Sequence, residues 1–325
     1  MRTLKSLLLM TITALALTAC GARANRSAAT PTPTDRDGKI VVGGLERTYI
    51  LHLPPAFASM QNLPLVIILH GGGGTGKGMI TLTRSGMNAL ADQDKFVVVY
   101  PDGIEKQWND GRQLQQARAM RENVDDVGFI AALINDLSQT YPIDRTRVYV
   151  AGISNGGWMS ERLACDLADQ IAAIGVIAAP FSENLSATCQ PSRSISVVLM
   201  TGTADPLVPY QGGEIGLLNI KRGKGLSSDA TTQFWVSRNQ CANSPSVSSE
   251  PIFDAQDVTR VRKQVYAPCR EGSVVVRFII EGGGHTWPNG WQYLPEVVVG
   301  KTTHQLDANV ALWEFFKSHK RESVQ

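Results

Sequence analysis

Charge is scarce in this chain and nearly self-cancelling. Only 18% of the 325 residues are Asp, Glu, Lys or Arg, and they balance to a net charge of +2. Without a positive excess or a basic stripe interleaved with aromatics, no nucleic-acid partner is expected. Internal repeats and Pro/Gly/Ser-rich interior linkers are also missing, so the body of the chain is expected to form one domain. Cysteine is rare, with five residues, and none has a neighbouring histidine at metal-ligand spacing. No metal site and no cofactor are therefore expected. Apolar residues, in contrast, make up 43%, enough to bury one large core or at most two smaller ones.

The chain opens on Met1-Arg2-Thr3-Leu4-Lys5, followed by an apolar run from Leu7 to Leu17 that is too short to span a bilayer stably. This pattern reads as an export signal over residues 1–20. Its end, Leu17-Thr18-Ala19-Cys20, resembles a bacterial lipobox, in which the Cys20 thiol is acylated and anchors the protein to a membrane. Cleavage at Ala22-Arg23-Ala24 is the competing reading and releases a soluble protein. Residues 21–37, carrying Ala-Thr-Pro-Thr-Pro-Thr, read as a polar tether, and 38–325 as the folded domain. An extracytoplasmic, oxidising setting favours disulfides among Cys165, Cys189, Cys241 and Cys269. Four cysteines allow three pairings. The local one, Cys165–Cys189 with Cys241–Cys269, closes loops of about 25 to 30 residues and contributes roughly 3–4 kcal/mol per bridge in the chain-entropy model.

Strands are expected at 39–42, 47–53, 64–69, 96–100, 147–151, 171–178, 195–201 and 273–280. Helices are expected at 79–93, 126–140, 157–169, 229–239 and 305–320. Such alternation implies an α/β fold: a mostly parallel central sheet with helices on both faces.

The most informative stretch is Arg147-Val148-Tyr149-Val150-Ala151 leading into Gly152-Ile153-Ser154-Asn155-Gly156-Gly157 and then a helix-like segment from Trp158. Gly-x-Ser-x-Gly between a strand and a helix is a nucleophile elbow, a turn so sharp that flanking side chains would clash with neighbouring backbone. Ser154 is the candidate nucleophile. A serine hydroxyl needs a base within hydrogen-bond reach and an acid to orient that base, and in α/β-hydrolases these follow in the order Ser, Asp/Glu, His. His285 follows the strand Val274–Ile280 and the run Gly282-Gly283-Gly284, whereas His304 and His319 read as cap or surface residues. Asp205 lies just past the strand Ile195–Met200; Asp229, Asp254 and Asp257 have no strand leading into them. The alternative role for Asp205 is an Asx turn before Pro206. An oxyanion hole needs two backbone N–H donors, expected from Asn155 and from Gly72 in the run Leu69-His70-Gly71-Gly72-Gly73-Gly74. His70 is expected to position that loop.

Gly71 to Lys77 also reads G-x-x-x-x-G-K, but position 78 is Gly where a P-loop requires a hydroxyl for magnesium. The adjacent Asp125 and Asp126 are expected to cap a helix. Trp158 is expected to pack against the sheet, while Trp108 and Trp287, in loops near strand ends, are candidate substrate-wall residues.

Several stretches together resemble the esterase/polyhydroxybutyrate depolymerase group that includes feruloyl and acetylxylan esterases of carbohydrate esterase family one. They are Leu69-His70-Gly71-Gly72-Gly73, Tyr100-Pro101-Asp102-Gly103, Trp108-Asn109-Asp110-Gly111, Val124-Asp125-Asp126-Val127-Gly128-Phe129, the elbow, Gly202-Thr203-Ala204-Asp205-Pro206 and Gly283-Gly284-His285-Thr286-Trp287-Pro288. The resemblance spans most of residues 40 to 316. It implies an α/β-hydrolase with Ser154, Asp205 and His285 as its triad, acting without a cofactor through an acyl-enzyme, and it accords with the local cysteine pairing. The implied substrate is an ester, polysaccharide-linked (feruloyl or acetyl) in the first instance and an oligomeric hydroxyalkanoate in the second. A lipoprotein that binds without chemistry is the reading of another class. The stretch 211–228 matches none of these motifs.

Overall fold

The computed structural model describes residues 35–217 and 220–322. The export signal, Cys20 and residues 21–34 of the tether lie outside the described residues. The strands are β1 (Asp35–Val42), β2 (Leu45–His52), β3 (Leu63–Leu69), β4 (Val97–Pro101), β5 (Ile143–Ile153), β6 (Ala173–Ile177), β7 (Ser196–Gly202), β8 (Gly213–Leu217), β9 (Ile220–Gly225), β10 (Ser246–Ser249), β11 (Arg260–Tyr266) and β12 (Val275–Glu281). The helices are α1 (Gly76–Leu82), α2 (Gly86–Asp94), α3 (Arg118–Arg121), α4 (Asp126–Thr140), α5 (Asn155–Asp166), α6 (Glu183–Ser186), α7 (Ser228–Arg238), α8 (Glu296–Val299) and α9 (Ala308–Lys317).

Ten strands form one sheet in the order β1-β2-β4-β3-β5-β6-β7-β12-β11-β10. The run from β4 to β12 is parallel. Antiparallel pairs extend both edges. Parallel strands are covered on both faces and so read as continuous apolar runs. In β3 every residue is buried, and successive side chains alternate between two cores. Leu65, Ile67 and Leu69 face one core with Phe129, Leu133 and Leu137 of α4 and Met159 and Leu163 of α5. Val66 and Ile68 face the other with Met87 and Ala91 of α2 and Leu312 and Phe316 of α9. Gly175 of β6 admits α9 to this second face, since a Cβ there would lie 2.3 Å from Leu312 Cδ2.

Three boundaries differ from the sequence expectations. The first strand begins at Asp35, inside the stretch read as tether, because Asp35 pairs with His52 across β1–β2 and its carboxylate lies 2.6 Å from the His52 ring. The helix expected at 79–93 is two, α1 and α2, broken where Arg84 and Ser85 take positive φ. The hairpin β8–β9 and the edge strands β10 and β11, rich in polar and charged residues on exposed positions, carry no apolar alternation by which to find them. Both disulfides take the local pairing, Cys165–Cys189 and Cys241–Cys269, across separations of 24 and 28 residues. Such bridges belong to an oxidising, extracytoplasmic compartment.

Leu312 is fully buried between α9 and the sheet. Truncation by Leu312→Ala is expected to lower unfolding free energy by about 2–5 kcal/mol, measured by urea titration followed by tryptophan fluorescence.

Candidate active site

The strand order reverses at β3: the chain passes from β3 outward to β4, then returns past β3 to β5. Loops leaving the carboxyl ends of strands flanking such a switch point separate and leave a crevice. The two loops there are His70–Gly74 after β3 and the Ser154 turn after β5, held side by side by the pairing of Leu69 with Gly152. The loops carrying Asp205 and His285 leave β7 and β12, which are likewise paired, Gly202 beside Ile280.

Ser154 takes φ 55° and ψ −122°, a backbone state that costs a non-glycine residue about 1–3 kcal/mol. Its amide is fixed to the Ile177 carbonyl at 2.9 Å, and its carbonyl accepts from Trp158 N–H at 2.9 Å. A Cβ on Gly156 would sit 2.4 Å from the Leu69 carbonyl oxygen, and one on Gly152 would sit 2.4 Å from the Gly156 carbonyl oxygen. The spacing of the motif is thus a packing requirement.

Asp205 does two things at once. Its Oδ1 accepts from the Leu207 and Val208 amides, both at 2.8 Å, which makes the Asx turn before Pro206, while Oδ2 lies 2.7 Å from His285 Nδ1. Both side chains are buried. The His285 carbonyl accepts from Tyr293 Oη at 3.0 Å. Ser154 and His285 open into one cavity of about 580 Å³, also lined by Gly71, Gly72 and Asn155. Ser154 Oγ is not hydrogen-bonded to His285 among the described residues; contacts of this kind commonly tighten only when substrate is bound. In the glycine run, the Gly73 and Gly74 amides are taken by the Lys106 and Gly71 carbonyls, at 2.9 Å each. Those of Gly72 and of Asn155, the first residue of α5, have no acceptor among the described residues, as oxyanion donors require.

The other histidines and aspartates considered for the site are engaged elsewhere. His304 lies against Asn289 and His319 against the Phe315 carbonyl. Asp229 pairs with Arg277, Asp254 closes a turn on Gln256, and Asp257 holds Thr259 and the His304 amide. His70 Nδ1–H donates to the Gly71 carbonyl at 2.8 Å and Nε2 accepts from Gly103 N–H at 2.9 Å, which makes the ring neutral and ties the oxyanion loop down. Burial pushes its pKa below the ordinary histidine value, consistent with the neutral form.

Two expectations about aromatics are corrected. Trp108 and Trp287 are fully buried and do not line the cavity. Trp108 lies beneath the oxyanion loop, its indole N–H donating to the His70 carbonyl at 2.9 Å, and Trp287 is inserted in the core under α9. Trp158 is packed in the core as expected, its indole N–H donating to the Pro180 carbonyl at 2.7 Å and the Arg112 guanidinium 3.8 Å above its ring, and it borders the cavity from beneath. Asp126 is also corrected. Asp125 caps α4 by accepting from Gly128 N–H at 2.7 Å, but Asp126 is buried in an ion pair with Arg47 at 2.6 Å and accepts from the Asn109 amide at 2.7 Å.

A buried polar network absent from the sequence reading joins these pieces. The Asn155 side chain bonds both backbone groups of Trp108, at 2.8 and 3.1 Å, and donates to Asp110 Oδ2 at 2.5 Å; Arg112 Nε binds the same carboxylate oxygen at 2.8 Å. Asp102 joins α1 to β2 by accepting from the Gly76 amide and the Thr48 hydroxyl, both at 2.8 Å.

The comparisons follow the same residues. The family model described as "Esterase PHB depolymerase" matches residues 47–208. NocK of Nocardia uniformis subsp. tsuyamanensis, which carries an esterase name, is 31% identical over 288 residues, covering 86% of this chain and 81% of that one. The chain belongs to the esterase/polyhydroxybutyrate depolymerase family. Feruloyl esterase B of Piromyces equi is 28% identical across 77% of this chain but only 45% of its own length, and feruloyl esterase D of Neurospora crassa is 26% identical across 83% and 85%. The acetyl xylan esterase of Aspergillus awamori superposes with a TM-score of 0.53 at 15% identity, covering 77% of this chain and 94% of that one, which establishes the shared α/β-hydrolase fold. In this esterase family member the family match ends before His285, so His285 is a candidate base on its contact with Asp205 alone.

Glu161, on α5 behind Asp110, is the esterase's one buried carboxyl whose two oxygens both lack a hydrogen-bond partner among the described residues. Burial pushes its pKa well above the usual carboxylate range and the Asp110 charge adds to this; the Trp235 indole N–H pulls the other way, short of a hydrogen bond. The native state therefore holds a proton that the unfolded chain releases, so stability falls as pH rises from the unfolded pKa towards the folded one. Glu161→Gln is expected to remove that loss. Its stability relative to the wild type is expected to rise with pH above the ordinary carboxylate range, measured by urea unfolding at a series of pH values; a gap independent of pH means Glu161 is ionised when folded.

Proposed function

We propose that this esterase hydrolyses carboxylic esters through an acyl-enzyme on Ser154. The observation that carries the reading is the 2.7 Å contact of Asp205 Oδ2 with His285 Nδ1, opening with Ser154 into one cavity. Ser154 Oγ bonds to the ester carbonyl carbon while His285 Nε2 takes its proton, and the carbonyl electron pair moves onto oxygen, which is held by the Gly72 and Asn155 amides. Collapse breaks the bond to the leaving alcohol, which receives the proton from His285. Water then repeats the sequence on the acyl-serine. Asp205, its other oxygen fixed by two amides, holds the imidazole with Nε2 towards the serine and stabilises the cation that forms.

The substrate reading is a feruloyl or acetyl ester on plant polysaccharide. It is supported by the names of the relatives and by an apolar wall of Met79, Leu82, Leu207, Val208 and Ile215 beside Trp158, which suits an aromatic acyl group. The family's description supports hydroxyalkanoate oligomers as the second reading. We further propose that Cys20 is acylated and holds the domain at a membrane surface through its polar tether.

A fluorophosphonate is expected to label the Ser154 peptide at one equivalent, and Ser154→Ala to abolish both labelling and hydrolysis. Asp205→Asn is expected to lower kcat by about 10⁴. Rates on methyl ferulate, acetylated xylan and hydroxybutyrate oligomers separate the substrate readings; an unlabelled, folded protein inert on all of them is a binding protein and not a hydrolase.

A further inference from the structure

Residues 213–225 match none of the family's motifs, yet Ile215, Gly216, Ile220 and Arg222 form a wall of the cavity. The hairpin β8–β9 stands apart from the main sheet. Its first strand is fixed by Ile215, buried in the core, and by the Gly216 amide on the Leu207 carbonyl at 2.9 Å. Its second strand is tied from the side: Arg112 Nη1 donates to the Arg222 carbonyl at 3.3 Å and Gln116 Nε2 to the Lys221 carbonyl at 3.0 Å. Arg112 is the residue that, with Asn155, grips Asp110, so the backbone at position 222 is held by the network that holds the oxyanion helix.

Three cations follow one another along β9: Lys221, Arg222 and Lys224. Lys221 and Lys224 flank Glu214 at 3.5 and 3.8 Å. Arg222 has no ion pair and no side-chain hydrogen bond among the described residues, and of the three it alone lines the cavity. The cavity's other arginine, Arg112, is neutralised by Asp110 at 2.7 Å. No aspartate or glutamate lines the cavity among the described residues. Arg222, exposed on the hairpin, is therefore the one arginine of the lining without an acidic partner among the described residues.

We infer that Arg222 is a specificity-determining subsite for a carboxylate carried by the ester substrate at a distance from the scissile bond, an assignment that rests on the hydrolase reading above. A guanidinium presents a planar fork that matches a carboxylate, and a lone positive charge at the cavity draws anionic substrates in from solution. Two ester classes carry such a group: a hydroxyalkanoate oligomer with its free carboxyl end, and an acylated polysaccharide bearing uronate. Arg222 touches no reacting atom, so its effect falls on KM.

The test is the ratio of kcat/KM for an anionic ester to that for its neutral counterpart. Three matched pairs serve: 4-nitrophenyl hemiglutarate against 4-nitrophenyl pentanoate, the hydroxybutyrate dimer against its methyl ester, and acetylated xylan with and without uronate. Arg222→Gln is expected to lower the ratio about tenfold through KM in at least one pair, and the pair affected identifies the source of the carboxylate. Lys224→Gln, which removes the same charge from the Glu214 side of the hairpin, is expected to leave every ratio unmoved. Ratios unchanged by Arg222→Gln in all three pairs, or lowered equally by Lys224→Gln, overturn the assignment. If no pair is turned over, the hydrolase reading has failed, and calorimetric titration of Ser154→Ala protein with the dimer and its methyl ester still decides the subsite. Preferential binding of the acid, lost with Arg222→Gln, sustains it; equal binding of acid and ester overturns it.

Discussion

The approach of Gly156 to the carbonyl oxygens of Leu69 and His70 governs the rest of the site. At that distance no side chain fits, so α5 can start directly against the end of β3. The closeness forces the turn that lifts Ser154 out of the sheet and brings the Asn155 amide beside the oxyanion loop. The turn is unfavourable in isolation. It persists because Ile177 and Trp158 fix it from both sides and two apolar cores hold the strands that feed it.

Around this contact the polar residues form a second layer, of which His70, Arg112 and Asn155 also border the cavity. His70 closes the oxyanion loop on Gly103, Asp102 clamps the start of α1, Asp126 with Arg47 holds the segment carrying Trp108 and Asn109, and Asp110 joins Asn155 to Arg112. Each motif that precedes the elbow is one node of this layer. A polar group buried without a partner costs more than the bond it makes contributes, so the nodes stand together or leave orphaned donors and acceptors. Arg47 Nε and Nη1 and both Glu161 oxygens are buried without partners among the described residues, and burial favours the protonated form of Glu161.

Much of the site was legible in the order of the residues. Strand–Gly-x-Ser-x-Gly–helix is a local pattern, and Asp205 and His285 each follow a strand whose apolar run is plain. The loop aromatics were not legible: Trp108 and Trp287 have the loop setting of wall residues but are buried, as is Trp158 on its helix. Composition and local pattern carry no information about which side of a loop faces inward. The hairpin at 213–225 was missed for a related reason, since its strands rest on single anchors such as Ile215 and on backbone carbonyls and show no alternation.

The amino-acid order alone determined the fold class and the spacing of glycines that the elbow demands, and it pointed to the proposed nucleophile, acid and base, because each is encoded by neighbours along the chain. Only the tertiary structure decided that Asp126 pairs with Arg47, that Asn155 is locked to Asp110, and that Arg222 is the one hairpin cation lining the cavity. Those contacts join segments 79, 45 and 110 residues apart. Which distant carboxylate meets which cation depends on how the strands are ordered in the sheet, and that order is set by the packing of the whole core.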